Sequence, residues 1–272
     1  MGQLELLQRK LDDLRFRGFG GSVIKMHRAI YQVNLGRSNL LLPLLLPLLF
    51  NLLLLCFLSN ILDLWQVLFG FWLDKLAPAG FVHMQPVDLG PYMLYLPTPV
   101  LSAAMPDSAT WWLTLAGSLL LLLATFLIPP RRFLPLTYVV RAALLIQASA
   151  LAFFYWLPGE FPHDSASYIG DALVMSLFFI FMVPWILGLT YYIFDFPLAQ
   201  KLALTALVLA YFIVAFPMQY MLHAYALHHL SLLFLPLFYL IFGPFLDIMM
   251  FVALYSWGMS WRWNTEIAAP NR

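Results

Sequence analysis

The sequence predicts an all-α polytopic membrane protein with six transmembrane helices and both termini in the cytoplasm. An amphipathic amino-terminal helix precedes the first span, and an outer interfacial helix plus loop separates spans one and two. Three observations carry this. Of 272 residues, 63% are hydrophobic and 10% charged, whereas a soluble domain has roughly 45–50% apolar and about 25% charged residues. Apolar runs near the length of a bilayer crossing, about 20 residues, recur along the chain. Twelve of the 14 Lys and Arg residues fall on one side of those runs, and basic loops stay inside. A mean hydropathy of +0.85 and a single cysteine exclude a disordered chain and a disulfide scaffold.

The first 38 residues hold seven of the 14 basic residues and form a cytoplasmic segment. Leu4, Leu7, Leu11 and Leu14 recur at helical spacing with charged residues between them, which predicts an amphipathic helix of about fifteen residues. A second short amphipathic run covers 22–34. Residues 1–34 suit either anionic headgroups or docking on a cytoplasmic or membrane partner subunit. The membrane domain covers 39–263, followed by a cytoplasmic tail at 264–272.

The first span, 40–58, is leucine-rich and interrupted by Pro43, Pro47 and Asn51. The long basic region before it argues for retention rather than cleavage as a signal peptide. In the outer loop, 61–109, Asp63, Asp74 and Lys75 among Trp65, Phe69, Phe71 and Trp72 predict a helix over 61–76 lying in the outer interface. The Pro- and Gly-rich stretch 77–108 reads as an ordered loop. Later spans are placed at 110–128, 134–157, 171–193, 202–225 and 230–257. Acidic residues concentrate on the outer face, among them Asp88, Asp107, Glu160, Asp164 and Asp171.

Two ionisable residues lie within spans, Arg141 and Asp247, and each costs at least about 2.5–3.5 kcal/mol to insert. Helical rise puts them roughly 10 Å and 15 Å from the same face, so they are expected to pair. That pair is either a structural clasp or part of a substrate or proton path; the alternative for Arg141 is to snorkel to the headgroups. Asn51, Gln147 and Gln219 are expected to hydrogen-bond to neighbouring helices. Pro184, Pro217, Pro236 and Pro244 interrupt the backbone ladder, so their helices need neighbours that satisfy the freed carbonyls. Gly243-Pro244 places a break one turn before Asp247.

Five histidines fall on the outer side: His83, His163, His223, His228 and His229. With Asp164 they form a candidate outer-face site for a divalent metal, haem or acid–base chemistry, the bland alternative being interfacial side chains. The spacing of His223 and His228 differs from the i, i+4 pair of zincins. Residues 257–263, Trp-Gly-Met-Ser-Trp-Arg-Trp, resemble the tryptophan-rich motif of haem-handling membrane proteins, although Asn264 stands where that motif has aspartate. An aromatic belt accounts for the same residues.

Walker A, Gly-x-Ser-x-Gly and His-Glu-x-x-His patterns are absent. So is any basic groove for nucleic acid. Six spans with a thick loop after the first resemble rhomboid proteases in architecture, but the Gly-x-Ser-Gly of that family is missing. The layout also resembles, in topology, the permease subunits of ABC exporters for lipids or polysaccharides. Function is therefore expected to be that of an inner-membrane subunit for transport or envelope assembly, non-catalytic by itself and without a cofactor. The alternative is a membrane enzyme or redox subunit using the outer His and carboxylate cluster, with metal or haem.

Overall fold

The computed structural model describes residues 37–88, 90–127, 130–191 and 197–261. The amphipathic segment expected over 1–34 and the tail at 264–272 lie outside the described residues. Two helices, α1 (Arg37–Cys56) and α2 (Leu58–Leu76), lead into a hairpin of β1 (Phe81–Asp88) and β2 (Met93–Val100). Four long helices follow: α3 (Ser108–Leu127), α4 (Pro130–Trp156), α5 (Ser165–Tyr191) and α6 (Leu198–Leu230). The last apolar stretch divides into α7 (Leu235–Leu240), a π turn (Ile241–Phe245) and α8 (Leu246–Met259). Five helical stretches are long and apolar enough to cross a membrane, and up to six if α1 and α2 together make one.

The helix expected in the outer interface packs its apolar face against the bundle. Helices α1 and α2 are bent by 59° at their junction. One face of α2, with Ile61, Leu62, Trp65, Phe69 and Leu73, is buried, while Asp63, Gln66, Asp74 and Lys75 stay exposed on the other. The Trp65 indole donates from Nε1 to the Ile213 carbonyl at 2.8 Å, near the midpoint of α6. The sequence explains why that carbonyl is available. In a helix it would accept from the residue four positions on, and that residue is Pro217, which has no N–H. An amphipathic period thus records which face of α2 is buried, without specifying that the bundle rather than the headgroup layer buries it.

Helix α1 packs on α5 through Gly188. A Cβ there would lie 2.6 Å from Pro47 Cγ and 2.8 Å from the Pro43 carbonyl oxygen, so only glycine permits the approach. Asn51 extends the same contact. With its amide oriented to suit its partners, it donates to the Phe181 carbonyl (3.1 Å) and accepts from Trp185 Nε1 (2.6 Å).

The stretch read as a loop over 77–108 contains an antiparallel hairpin. Its prolines obscure the pattern in sequence, because proline cannot donate to a ladder. In the register they occupy one class of positions: Val82 faces Pro99, Met84 faces Pro97 and Pro86 faces Tyr95. Antiparallel pairs alternate between hydrogen-bonded and non-bonded. All three prolines therefore fit the non-bonded class, leaving Phe81–Val100, His83–Thr98, Gln85–Leu96 and Val87–Leu94 to carry the ladder. Gly90, at φ +80°, donates to the Asp88 carboxylate at 2.8 Å and closes the turn.

The hairpin is fastened to α5 by Gln85, whose side chain occupies the space a Cβ on Gly170 would fill and whose Oε1 accepts from Thr98 at 3.5 Å. Gly170→Ala is expected to push Gln85 off Thr98 and loosen the hairpin without unfolding the bundle. Faster hydrogen exchange over 81–100, with unchanged exchange in α6, is the measurement; equal exchange in both proteins would remove this role from Gly170.

At the hairpin end, Asp107 caps α3 by accepting from the Thr110 N–H at 2.8 Å. Asp164 caps α5 by accepting from the Ser167 N–H at 2.7 Å, and the Ser167 hydroxyl oxygen accepts from the Asp164 N–H at 3.2 Å. The hydroxyl, then the amide, of Thr110 holds the Asp107 carboxyl below its ordinary value of 3.8. Ser167 does the same to Asp164. A depressed native value means stability present at neutral pH and lost as pH falls through that lowered value. Asp164→Ala is expected to cost about 1 kcal/mol at pH 7. Its melting difference from wild type should vanish once the wild-type carboxyl is protonated, below the ordinary value of 3.8.

Candidate functional site

The last apolar stretch is broken at the bundle surface, where Gly243 and Asp247 are buried while Phe242, Pro244, Phe245 and Leu246 are exposed. Gly243 takes non-helical angles (φ −100°, ψ −117°), and Pro244 removes the next N–H. The Leu246 N–H turns to the Gly243 carbonyl, so the Phe242 carbonyl loses the partner that a regular helix would give it. Gln219 of α6 supplies a replacement, donating from Nε2 to Phe242 O at 2.7 Å. The same amide lies near the Asp247 carboxylate, which is buried in the first turn of α8.

His223 is one helical turn beyond Gln219 on α6. It is 2% exposed, so it belongs to the interior rather than to a surface cluster. Its Nδ1 lies 2.9 Å from the Tyr168 hydroxyl of α5, with the two rings nearly parallel. The Phe242 carbonyl also lies near the His223 ring. In the tautomer with the proton on Nε2, Nδ1 accepts from the Tyr168 hydroxyl. Tyr220 packs edge-on against His223 at 5.3 Å, and Tyr239 meets Tyr168 at 6.1 Å. Tyr168, Tyr211 and Tyr220 are within electrostatic reach of Asp247. Together these groups place one carboxylate, one amide, one imidazole and several phenols around a break in the helix.

The two charges expected to pair do not form an ion pair. Arg141 donates from Nε to Thr125 Oγ1 at 3.2 Å, with its guanidinium 4.6 Å above the Phe126 ring, both on α3. Asp247 faces Gln219 and the tyrosines instead. Distance along a helix axis carries no information on which side of the bundle that helix stands. The outer histidines separate as well. His83 is exposed on β1 and His163 is exposed before α5, beside the capping Asp164. His228 Nδ1 lies 2.6 Å from the Ser102 carbonyl, and His229 is exposed against Tyr225. His223 alone enters the buried cluster. Among the described residues no three His, Cys, Asp or Glu side chains come together as metal ligands.

Each of the three amides donates to a neighbouring helix or turn, although the buried Oε1 of Gln147 has no partner among the described residues. Besides Asn51 and Gln219, Gln147 of α4 donates to the Leu233 carbonyl at 3.3 Å. Tyr168, Tyr220 and Tyr239 had no signal of their own, because tyrosine is ordinary in membrane helices. The signal available was the i, i+4 pair Gln219 and His223 on one face of α6 opposite Gly243-Pro244.

Comparison with protein-family models, curated proteins and solved structures finds no match.

Proposed function

We propose that this chain is an integral inner-membrane subunit of a transport or envelope-assembly system, of the kind that exports lipid or polysaccharide. In this reading both termini are cytoplasmic, the working site is the cluster around Asp247, and a partner subunit supplies the energy. The observation that carries it is the break in the last span at Gly243-Pro244 beside a buried carboxylate. A mere anchor gains nothing from an interrupted helix and an acid within it, each of which costs insertion free energy. Broken helices whose ends and freed carbonyls meet polar groups are the recurrent means by which transporters bind cargo or coupling ions. The excess of basic residues on one side supports the orientation.

The test is purification from native membranes in mild detergent, followed by transport in vesicles. A stoichiometric ATPase or synthase partner is expected. Asp247→Asn should assemble normally and lower transport about tenfold or more, the effect of losing roughly 1.4 kcal/mol at the working step. Full transport by Asp247→Asn would sink the assignment of the site. A Soret band or stoichiometric metal lost on changing His228 or His229 would overturn the reading in favour of a redox or enzymatic subunit.

A further inference from the structure

We propose that Arg141, held by Thr125 and Phe126, is a binding site for the phosphate of an anionic phospholipid in the leaflet opposite the hairpin. This inference is independent of what the cluster at Asp247 binds. A guanidinium carries five N–H donors, and among the described residues only the one on Nε is engaged, at Thr125 Oγ1. The Thr125 hydroxyl is itself committed to the Leu122 carbonyl at 2.7 Å, which leaves its oxygen lone pairs facing Arg141. Phe126 covers one face of the guanidinium plane. The side chain is thereby fixed at its root while the terminal fork, the edge that grips phosphate in two parallel bonds, stays open.

The surroundings decide what can fill that fork. Helix α3 has 20 residues, close to the thickness of the hydrocarbon core at 1.5 Å per residue. Thr125 and Phe126 are in its last turn, at the end away from the hairpin, so the fork sits at the edge of the hydrocarbon. The side of the α3–α4 pair around it faces lipid: Leu123, Phe126, Leu127 and Tyr138 are all more than 60% exposed. On its hydrocarbon side the fork meets no acceptor, so its donors must be satisfied from the headgroup side. The acceptor that a bilayer supplies there is the phosphate of a lipid headgroup. A net negative headgroup is preferred over a zwitterionic one, because no carboxylate of the chain neutralises Arg141 among the described residues.

Native mass spectrometry of the delipidated full-length protein, titrated with phosphatidylglycerol or phosphatidylcholine of matched acyl chains, tests this. Wild type should bind the first phosphatidylglycerol about tenfold or more tightly than Arg141→Gln does, as expected for a lost charge-assisted bidentate contact. It should also prefer phosphatidylglycerol to phosphatidylcholine. Arg141→Lys keeps the charge without the fork and should bind more weakly than wild type, which keeps the test usable if Arg141→Gln does not fold. Equal affinity of wild type and either folded variant would overturn the proposal, as would equal affinity for both lipids. Excess inorganic phosphate should leave the adduct in place; its displacement would show a site for free phosphate and overturn the lipid assignment.

Discussion

Trp65→Ala is expected to destabilise the folded protein by about 3–5 kcal/mol, the range for removing a fully buried aromatic side chain. Trp65 is 0% exposed and sits between α2 and the middle of α6. In lipid the loss comes mainly from forfeited packing contacts, since the surrounding hydrocarbon is as apolar as the side chain. Trp65→Phe isolates the polar part. It keeps most of the ring but leaves the Ile213 carbonyl without its donor, for a cost of about 1–3 kcal/mol. Because Pro217 is the reason that carbonyl is free, the double variant supplies a sharper check. In a Pro217→Ala background the alanine N–H can take over the carbonyl, so the cost of Trp65→Phe should shrink. Unfolding in mixed micelles measures all four proteins. An equal Trp-to-Phe cost in both backgrounds would refute the link between the kink and the indole.

Gln219→Leu removes the group that supports the broken last span. The Phe242 carbonyl then has no donor from this side chain, and the Asp247 carboxylate loses its amide. Losing one of these hydrogen bonds at a partly exposed break costs about 0.5–1.5 kcal/mol. Both the stability of the whole protein and the local order of the break should fall. Hydrogen exchange of the amides at 241–247 should quicken before that of α5, because those amides belong to the interrupted segment. Unchanged exchange there, with unchanged stability, would mean that Gln219 is not what satisfies the break. His223→Leu makes the companion case at lower cost: the Tyr168 hydroxyl loses its partner, and Tyr168→Phe in the same protein should restore most of the loss.

Much of this arrangement could be read from residue types. Four interrupting prolines and three amides in apolar segments demanded partners from neighbouring helices. Asn51, Gln147 and Gln219 each meet one, and Trp65 meets a carbonyl that Pro217 leaves free. The membrane class, with five to six helical stretches able to cross, follows from apolar length alone. The hairpin was hidden because its prolines break the usual strand signal, and only the register shows them sharing one class of pair. His223 looked like its outer neighbours because sequence distance from a helix end gives height, not the direction of a side chain. Its burial and its contact with Tyr168 depend on how α5 and α6 are rotated against each other.

Residue types and their order were enough to set the solvent, the helical content and the kind of partner each polar group needs, because an apolar medium leaves no water to satisfy them. Packing chose who those partners are. Arg141 and Asp247 carry opposite charge, yet one faces Thr125 and Phe126 and the other lies by Gln219. The physical reason is that composition and spacing encode distance along a helix axis. Which helix stands next to which, and how each is turned, is set by the fit of small residues and kinks, as Gly188 against Pro43 and Pro47 or Gly170 against Gln85.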